Sequence, residues 1–176
     1  DFTLPRNRNE IQLTSSQASE GKSTTAVILA ELFASLGRKT LLIDADLRRP
    51  SVADLLDVER PKVGFVEVLL GHVELEAAVV KGVHENLEIL PVGAIPPNPT
   101  EILASREMRE FIERYRNEYS LIIFDSCPVM GLADAPRFIG YIRHTAHRYR
   151  ALGPFLQMLD EIEGLQAASG YAFGRV

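Results

Sequence analysis

The sequence contains a single cysteine, Cys127, among 176 residues. One cysteine excludes an intrachain disulfide framework and agrees with a reducing compartment such as the cytoplasm. No apolar run approaches the roughly 20 residues of a transmembrane helix, and the first ten residues lack the apolar core of a signal peptide. We therefore expect a soluble chain whose association with a membrane depends on a partner or on a segment outside this sequence.

Basic residues are outnumbered, with 19 Lys and Arg against 24 Asp and Glu, so the formal net charge is −5. This balance excludes a general electrostatic attraction to nucleic acid, and no nucleic-acid partner is expected. The length and the 46% apolar content suit one domain with a substantial core. We predict a single domain over residues 1–176, with an N-terminal extension at 1–10.

Short apolar runs alternate with stretches of helical spacing. The predicted strands are Ile11–Thr14, Lys39–Asp44, Leu87–Pro91 and Leu121–Asp125, and the predicted helices are Thr25–Leu36, Ser51–Leu56, Gly64–Leu70 and one from Asn98 to about Tyr115. Strands separated by helices predict an α/β fold with a mostly parallel sheet and helices on both faces. Ligands of such sheets bind at the carboxyl ends of the strands.

The segment from Ser16 to Thr24, SQASEGKST, follows the first predicted strand. It matches the phosphate-binding pattern G-x-x-x-x-G-K-[ST], except that Ser16 replaces the first glycine. Backbone N–H groups of such a loop surround a phosphate, and the next helix directs its positive end at the anion. The predicted nucleotide-binding residues are Ser19, Glu20, Gly21, Lys22, Ser23 and Thr24.

This pattern predicts a P-loop NTPase that binds ATP and Mg²⁺. Lys22 is expected to bridge the β- and γ-phosphates, and the Ser23 hydroxyl to ligate Mg²⁺. The alternative is a helix N-terminus that carries a glycine and a lysine by chance. The strand before the loop and the helix after it favour the phosphate-binding interpretation.

Two further acidic segments end predicted strands. In LLIDADLRRP, alternation along an extended chain places Asp44 and Asp46 on one side, where they can hold metal-bound water or accept a proton from an attacking hydroxyl. In LIIFDSCP, Asp125 ends an apolar strand, as in the Walker B element. The alternative for the aspartate pair is two solvated acids. Cys127 is interpreted as a small buried residue.

The chain resembles the cytoplasmic kinase domain of bacterial tyrosine kinases that control capsule and exopolysaccharide export. Four segments carry the resemblance: LLIDADLRRP, SEGKSTTA, FDSCPV and PVGAIPPNPTEILAS. The resemblance covers about Ile11 to Pro136. It implies a tyrosine autokinase at the cytoplasmic face of the inner membrane, a ring-like homo-oligomer and a membrane co-polymerase or adaptor as partner. It also implies catalytic roles for Lys22, Asp44 and Asp46, and metal-binding roles for Ser23, Asp46 and Asp125.

Two other functions fit a P-loop of this kind. One is a nucleotide-switched ATPase similar to MinD and ParA, which uses a signature lysine where this sequence has Gln17. The missing lysine and the arginine pair after Asp46 favour the kinase. The other is a regulatory module that binds nucleotide without turnover.

The C-terminal part departs from the kinase pattern. Residues 138–176 contain no apolar run comparable with LLID or LIIF, so the sheet is expected to be incomplete or divergent there, and residues 137–176 are predicted to form a helical tail. Only Tyr171 lies near the end, and it is the predicted acceptor of phosphate in trans. Tyr115 and Tyr119 are expected to be buried near the end of a helix.

Overall fold

The computed structural model describes residues 9–15 and 20–127. These residues form one α/β unit. In chain order its elements are β1 (Glu10–Leu13), α1 (Lys22–Ser35), β2 (Thr40–Ala45), α2 (Val52–Leu55), α3 (Phe65–Leu69), α4 (Leu75–Ala78), β3 (Val80–Lys81), β4 (Leu87–Leu90), α5 (Pro99–Leu103), α6 (Arg106–Tyr115) and β5 (Leu121–Ser126).

The five strands form one sheet in the order β1-β5-β2-β4-β3. Neighbouring pairs among β1, β5, β2 and β4 are parallel, and only β3 runs antiparallel, against β4. The predicted mostly parallel sheet is therefore confirmed. Because four strands run the same way, their carboxyl ends meet at one edge, where the loops after β1, β2, β4 and β5 also begin.

Helices cover both faces of the sheet, which explains why every residue of β2 and β5 is buried. Alternate residues such as Leu41, Ile43 and Phe124 join the core beneath α3 and α6. The intervening residues point to the opposite face, where α1 packs on β2 and β5. Burying each large apolar side chain stabilises the fold by about 1.5–3 kcal/mol.

Several predicted boundaries differ from the structure. Strand β1 begins at Glu10, which the predicted extension had included. The single helix predicted from Asn98 to about Tyr115 is wrong, because α5 ends at Leu103 and α6 begins at Arg106. Ser105 separates them: its backbone is extended and its hydroxyl accepts a hydrogen bond from the Met108 N–H at 3.2 Å. This helix cap stabilises a new start more than continuation of α5 would.

Two short elements, α4 and β3, were not predicted. With four and two residues respectively, they are too short to show a hydrophobic period. Tertiary contacts form them instead, since Val80 and Lys81 pair with Ile89 and Glu88 of β4.

Within residues 9–15 and 20–127, no helix has both the length and the hydropathy required to cross a bilayer. The predicted helical tail at 137–176, the acceptor Tyr171 and the loop residue Ser19 lie outside the described residues.

Candidate active site

The carboxyl ends of β1, β5 and β2 lie side by side. Leu13, the last residue of β1, is paired in register with Asp125 of β5, and Asp125 is paired in turn with Asp44 of β2. The segment that carries the SEGKST motif follows β1. The sheet therefore brings together the three segments in which sequence reasoning placed the site.

Gly21 ends the loop and is the N-cap residue of helix α1. Its φ of +78° lies in the left-handed region, where any side chain would be strained. Its carbonyl accepts hydrogen bonds from both the N–H and the hydroxyl of Thr25, each at 2.9 Å. Among the described residues no side chain caps α1, and its first turn has no acidic residue. The positive end of this 14-residue helix is therefore suited to an anion.

Lys22, the first residue of α1, reaches across to β5. Its ammonium forms an ion pair with Asp125 Oδ1 and lies 3.2 Å from the Ser23 hydroxyl. The Lys22 side chain is 8% exposed and that of Asp125 is fully buried. Burial raises the pKa of Asp125, while hydrogen bonding from Lys22 and the nearby Ser23 hydroxyl lowers it. The structure thus brings the predicted phosphate-binding lysine into direct contact with two of the predicted metal residues, Ser23 and Asp125.

Asp44 occupies a buried position of β2, one residue before the strand ends, and its carboxylate accepts three backbone hydrogen bonds. Oδ2 accepts from the N–H groups of Ser51 and Val52, at 2.9 and 3.0 Å, and Oδ1 accepts from that of Asp46 at 3.3 Å. Burial raises the pKa of Asp44 to about 7; the backbone hydrogen bonds oppose this rise and the charge of Asp125 adds to it. Asp44 therefore anchors the start of α2 as well as facing the site.

Asp46 lies beyond the end of β2, so the extended alternation predicted to align it with Asp44 does not reach it. Instead, Oδ1 of Asp46 accepts hydrogen bonds from the N–H groups of Arg48 and Arg49, at 3.4 and 3.1 Å. This turn keeps Asp46 buried and near Asp125, whose pKa its charge raises. A turn rather than a strand therefore places Asp46 near Asp125. The predicted convergence of the Asp44 and Asp46 carboxylates on one spot stays a prediction.

The described residues contain no group of three or more His, Cys, Asp or Glu side chains arranged to hold a metal by themselves. Mg²⁺ does not require one, because it keeps several waters and binds through one or two carboxylates together with phosphates. Oδ2 of Asp125 is buried and has no hydrogen-bond partner within the described part of the chain. This oxygen, the Ser23 hydroxyl and the uncapped start of α1 fit Mg²⁺ with a nucleotide.

Sequence reasoning missed the role of Glu67 in α3. Its carboxylate accepts hydrogen bonds from the Gly64 N–H at 2.8 Å and from the Ala94 N–H at 3.2 Å, so it ties α3 to the loop after β4. Gly93, with φ +79°, lies so close that an added Cβ would stand 2.0 Å from this carboxylate. A glutamate three residues after the start of a helix is a capping-box signal that predicts the Gly64 contact.

Two tyrosines considered as phosphate acceptors are buried, as predicted. Tyr115 is 2% exposed and packs on Phe111, with ring centroids 4.9 Å apart. Tyr119 is 5% exposed, and its hydroxyl donates a hydrogen bond to Glu88. Burial and this contact raise the pKa of Tyr119. Cys127 is also buried, as expected.

Comparison with known proteins identifies the relatives of this site. The model of the AAA domain family matches residues 10–137. The chain is 42% identical to tyrosine-protein kinase YwqD of Bacillus subtilis (strain 168) over 76% of this chain and 56% of YwqD, and 36% identical to tyrosine-protein kinase CpsD of Streptococcus pneumoniae over 71% and 55%. It is 34% identical to the succinoglycan biosynthesis transport protein ExoP of Rhizobium meliloti (strain 1021), over 73% and 16%.

Solved structures share the fold. The kinase domain of the Escherichia coli tyrosine kinase ETK matches with TM-score 0.69 and 32% identity, over 76% of this chain and 51% of that one. The chimerical protein CapA2B2 matches with TM-score 0.71 and 32% identity, over 75% and 58%. The septum site-determining protein MinD of Pyrococcus horikoshii OT3, complexed with Mg-ADP, matches with 0.61 and 26%, over 74% and 54%. The chain spans about half the length of YwqD and CpsD.

Proposed function

Because the chain belongs to the AAA domain family and, within it, to the bacterial tyrosine kinases, we propose that it transfers the γ-phosphoryl group of ATP to tyrosine as an autokinase of capsule or exopolysaccharide production. One observation carries this proposal. Five side chains converge at the start of α1, although more than 100 residues separate the first from the last: Lys22, Ser23, Asp44, Asp46 and Asp125.

The start of α1 binds the phosphates. The backbone N–H groups from Glu20 to Thr24 surround them, and Lys22 supplies a positive charge that stabilises the negative charge of the transferring group. Ser19 is the further predicted nucleotide-binding residue, outside the described part of the chain. When Mg²⁺ is bound, it neutralises the β- and γ-oxygens. Ser23, Asp46 and Asp125 are the residues that would hold the ion. Catalysis in this class rests mainly on positioning and charge stabilisation.

The two aspartates of the LLIDADLRRP segment have different tasks in this proposal. The Asp44 carboxylate already accepts hydrogen bonds from three backbone N–H groups, so its principal contribution is to hold residues 46–52 in place. Asp46 follows the strand, and within the described residues its carboxylate accepts hydrogen bonds from the adjacent turn through Oδ1. It is the better placed of the two to accept the proton of an incoming tyrosine hydroxyl.

The acceptor, partner and location extend the proposal further. The acceptor is Tyr171 of a neighbouring copy in a ring-like homo-oligomer, because of the five tyrosines it lies nearest the end of the sequence; Tyr115 and Tyr119 are buried. The partner is a membrane co-polymerase or adaptor that holds the domain at the cytoplasmic face of the inner membrane. The name of ExoP, a succinoglycan biosynthesis transport protein, and the chimeric make-up of CapA2B2 support this part.

A second candidate function is a nucleotide-switched ATPase that hydrolyses ATP to change its oligomeric state. The likeness to MinD complexed with Mg-ADP supports it, because the two chains share this fold at 26% identity. Such an ATPase releases inorganic phosphate without forming phosphotyrosine, which separates the two functions experimentally.

The test is incubation of the chain with Mg²⁺ and ATP labelled at the γ-phosphate, followed by phosphoamino-acid analysis and phosphate-release measurement. The kinase predicts labelled phosphotyrosine that Lys22→Met abolishes, and mass spectrometry should locate it at Tyr171. Phosphate release without phosphotyrosine would support the ATPase. Neither product would indicate a module that binds nucleotide without turnover.

A further inference from the structure

We propose that Asp125 is a latch for Lys22: the carboxylate holds the lysine against β5 and weakens nucleotide binding until Mg²⁺ takes the carboxylate over. The inference rests only on the nucleotide-binding part of the proposed function and does not depend on tyrosine as the acceptor. It assigns Asp125 a regulatory role in addition to its proposed position beside the metal.

The first observation is the ion pair itself. Lys22 Nζ contacts Asp125 Oδ1 directly and the Ser23 hydroxyl at 3.2 Å; the Asp125 side chain is fully buried and that of Lys22 is 8% exposed. A buried ion pair is costly to break from one side, because the remaining charge is left without compensation. Phosphate groups that recruit Lys22 must therefore compete with Asp125.

The second observation concerns the other oxygen of the same carboxylate. Oδ2 is buried and has no hydrogen-bond partner in the described residues, although it belongs to the group that anchors Lys22. An unpaired buried acceptor is unfavourable, and a cation or its bound water satisfies it. Mg²⁺ at this oxygen compensates the carboxylate charge, so Asp125 no longer requires the positive charge of Lys22.

The third observation is the density of negative charge. Asp44 and Asp125 are register neighbours, and Asp46 also raises the pKa of Asp125. Only Lys22 forms an ion pair with Asp125 in the described part of the chain. A nucleotide that arrives without Mg²⁺ adds charge of the same sign and withdraws that lysine. Nucleotide affinity should therefore depend strongly on Mg²⁺, and Asp125 should mediate this dependence.

The experiment measures ADP affinity by calorimetry, with EDTA or with Mg²⁺, for wild type and Asp125→Asn. In EDTA, the variant should bind ADP about tenfold more tightly than wild type, equivalent to removal of a competing interaction of about 1.4 kcal/mol. A residue that serves only the metal would leave the affinity in EDTA unchanged, and that result would overturn the latch. Asp46→Asn is the matched control for loss of nearby charge, and its effect should be smaller.

A second measurement uses wild type alone and so does not require the variant to fold. Acylation of nucleotide-free protein, followed by peptide mass spectrometry, compares Lys22 with the exposed Lys62. The latch predicts slow modification of Lys22 that becomes faster when Mg²⁺ is added without nucleotide; equal rates for Lys22 and Lys62 without Mg²⁺ would refute it. If wild type binds Mg·ADP but both latch results fail, only the latch is wrong, whereas absence of any ADP binding refutes the proposed function too.

Discussion

Asp44 and Asp125 are register partners on the adjacent parallel strands β2 and β5, with exposures of 1% and 0%. In-register residues point to the same face of a sheet, so the two carboxylates share one environment. Burial is the main cause that raises the pKa of each. A site of this kind favours a proton or a cation between the acids, which agrees with a role in binding Mg²⁺.

The pKa of about 7 at Asp44 predicts a pH dependence of stability. Between pH 3.8, the ordinary pKa of the side chain, and about pH 7, Asp44 keeps its proton in the folded state but has lost it in the unfolded state. The contribution of Asp44 to stability is therefore complete below this pH range and falls as the pH rises through it. Relative to Asp44→Asn, wild type should lose about 4 kcal/mol of unfolding free energy across the window. Urea unfolding in EDTA at several pH values measures this loss. The prediction is contradicted if the unfolding free energies of wild type and Asp44→Asn change with pH in parallel.

Asp46→Asn should lower the rate of tyrosine phosphorylation by about 10²-fold or more, because it removes the proposed proton acceptor. Asp44→Asn should lower the rate as well, and it should also change how stability depends on pH. Single-turnover phosphoryl transfer, combined with thermal unfolding of the same samples, separates the two effects. Full activity of the double variant would show that neither acid takes part in phosphoryl transfer.

Glu67→Ala should destabilise the fold by about 1–3 kcal/mol, since it leaves the Gly64 and Ala94 N–H groups without their acceptor. The matched control is Glu59→Ala, at an exposed position, which should change stability by less than about 0.5 kcal/mol. Denaturant unfolding of both variants provides the measurement. Equal stabilities would mean that the Glu67 contacts contribute nothing net.

Tyr119→Phe should leave the yield of phosphotyrosine unchanged while lowering stability by about 1 kcal/mol, because it removes the hydrogen bond to Glu88. Tyr171→Phe, in contrast, should remove most phosphotyrosine without lowering stability. The measurement is phosphotyrosine detection after incubation with Mg·ATP, together with thermal unfolding. Loss of phosphotyrosine in Tyr119→Phe alone would place the acceptor at Tyr119.

The sequence by itself determined the features that depend on neighbouring residues. Continuous apolar runs marked β2 and β5, because strand burial is a local requirement. Helix α1 was predicted from its apolar spacing, but it begins at Lys22, three residues before the predicted Thr25. The same local reasoning failed at Ser105, where a helix-compatible pattern conceals a cap.

Only the tertiary structure decided what these segments do together. The strand order places β5 between β1 and β2, so Asp125 meets Lys22 and Asp44 from distant parts of the chain. The turn that holds Asp46 and the Glu67 contact with Ala94 depend equally on folding. Contacts between distant segments leave no period in the sequence, because they arise from the register and packing of strands rather than from the preferences of adjacent residues.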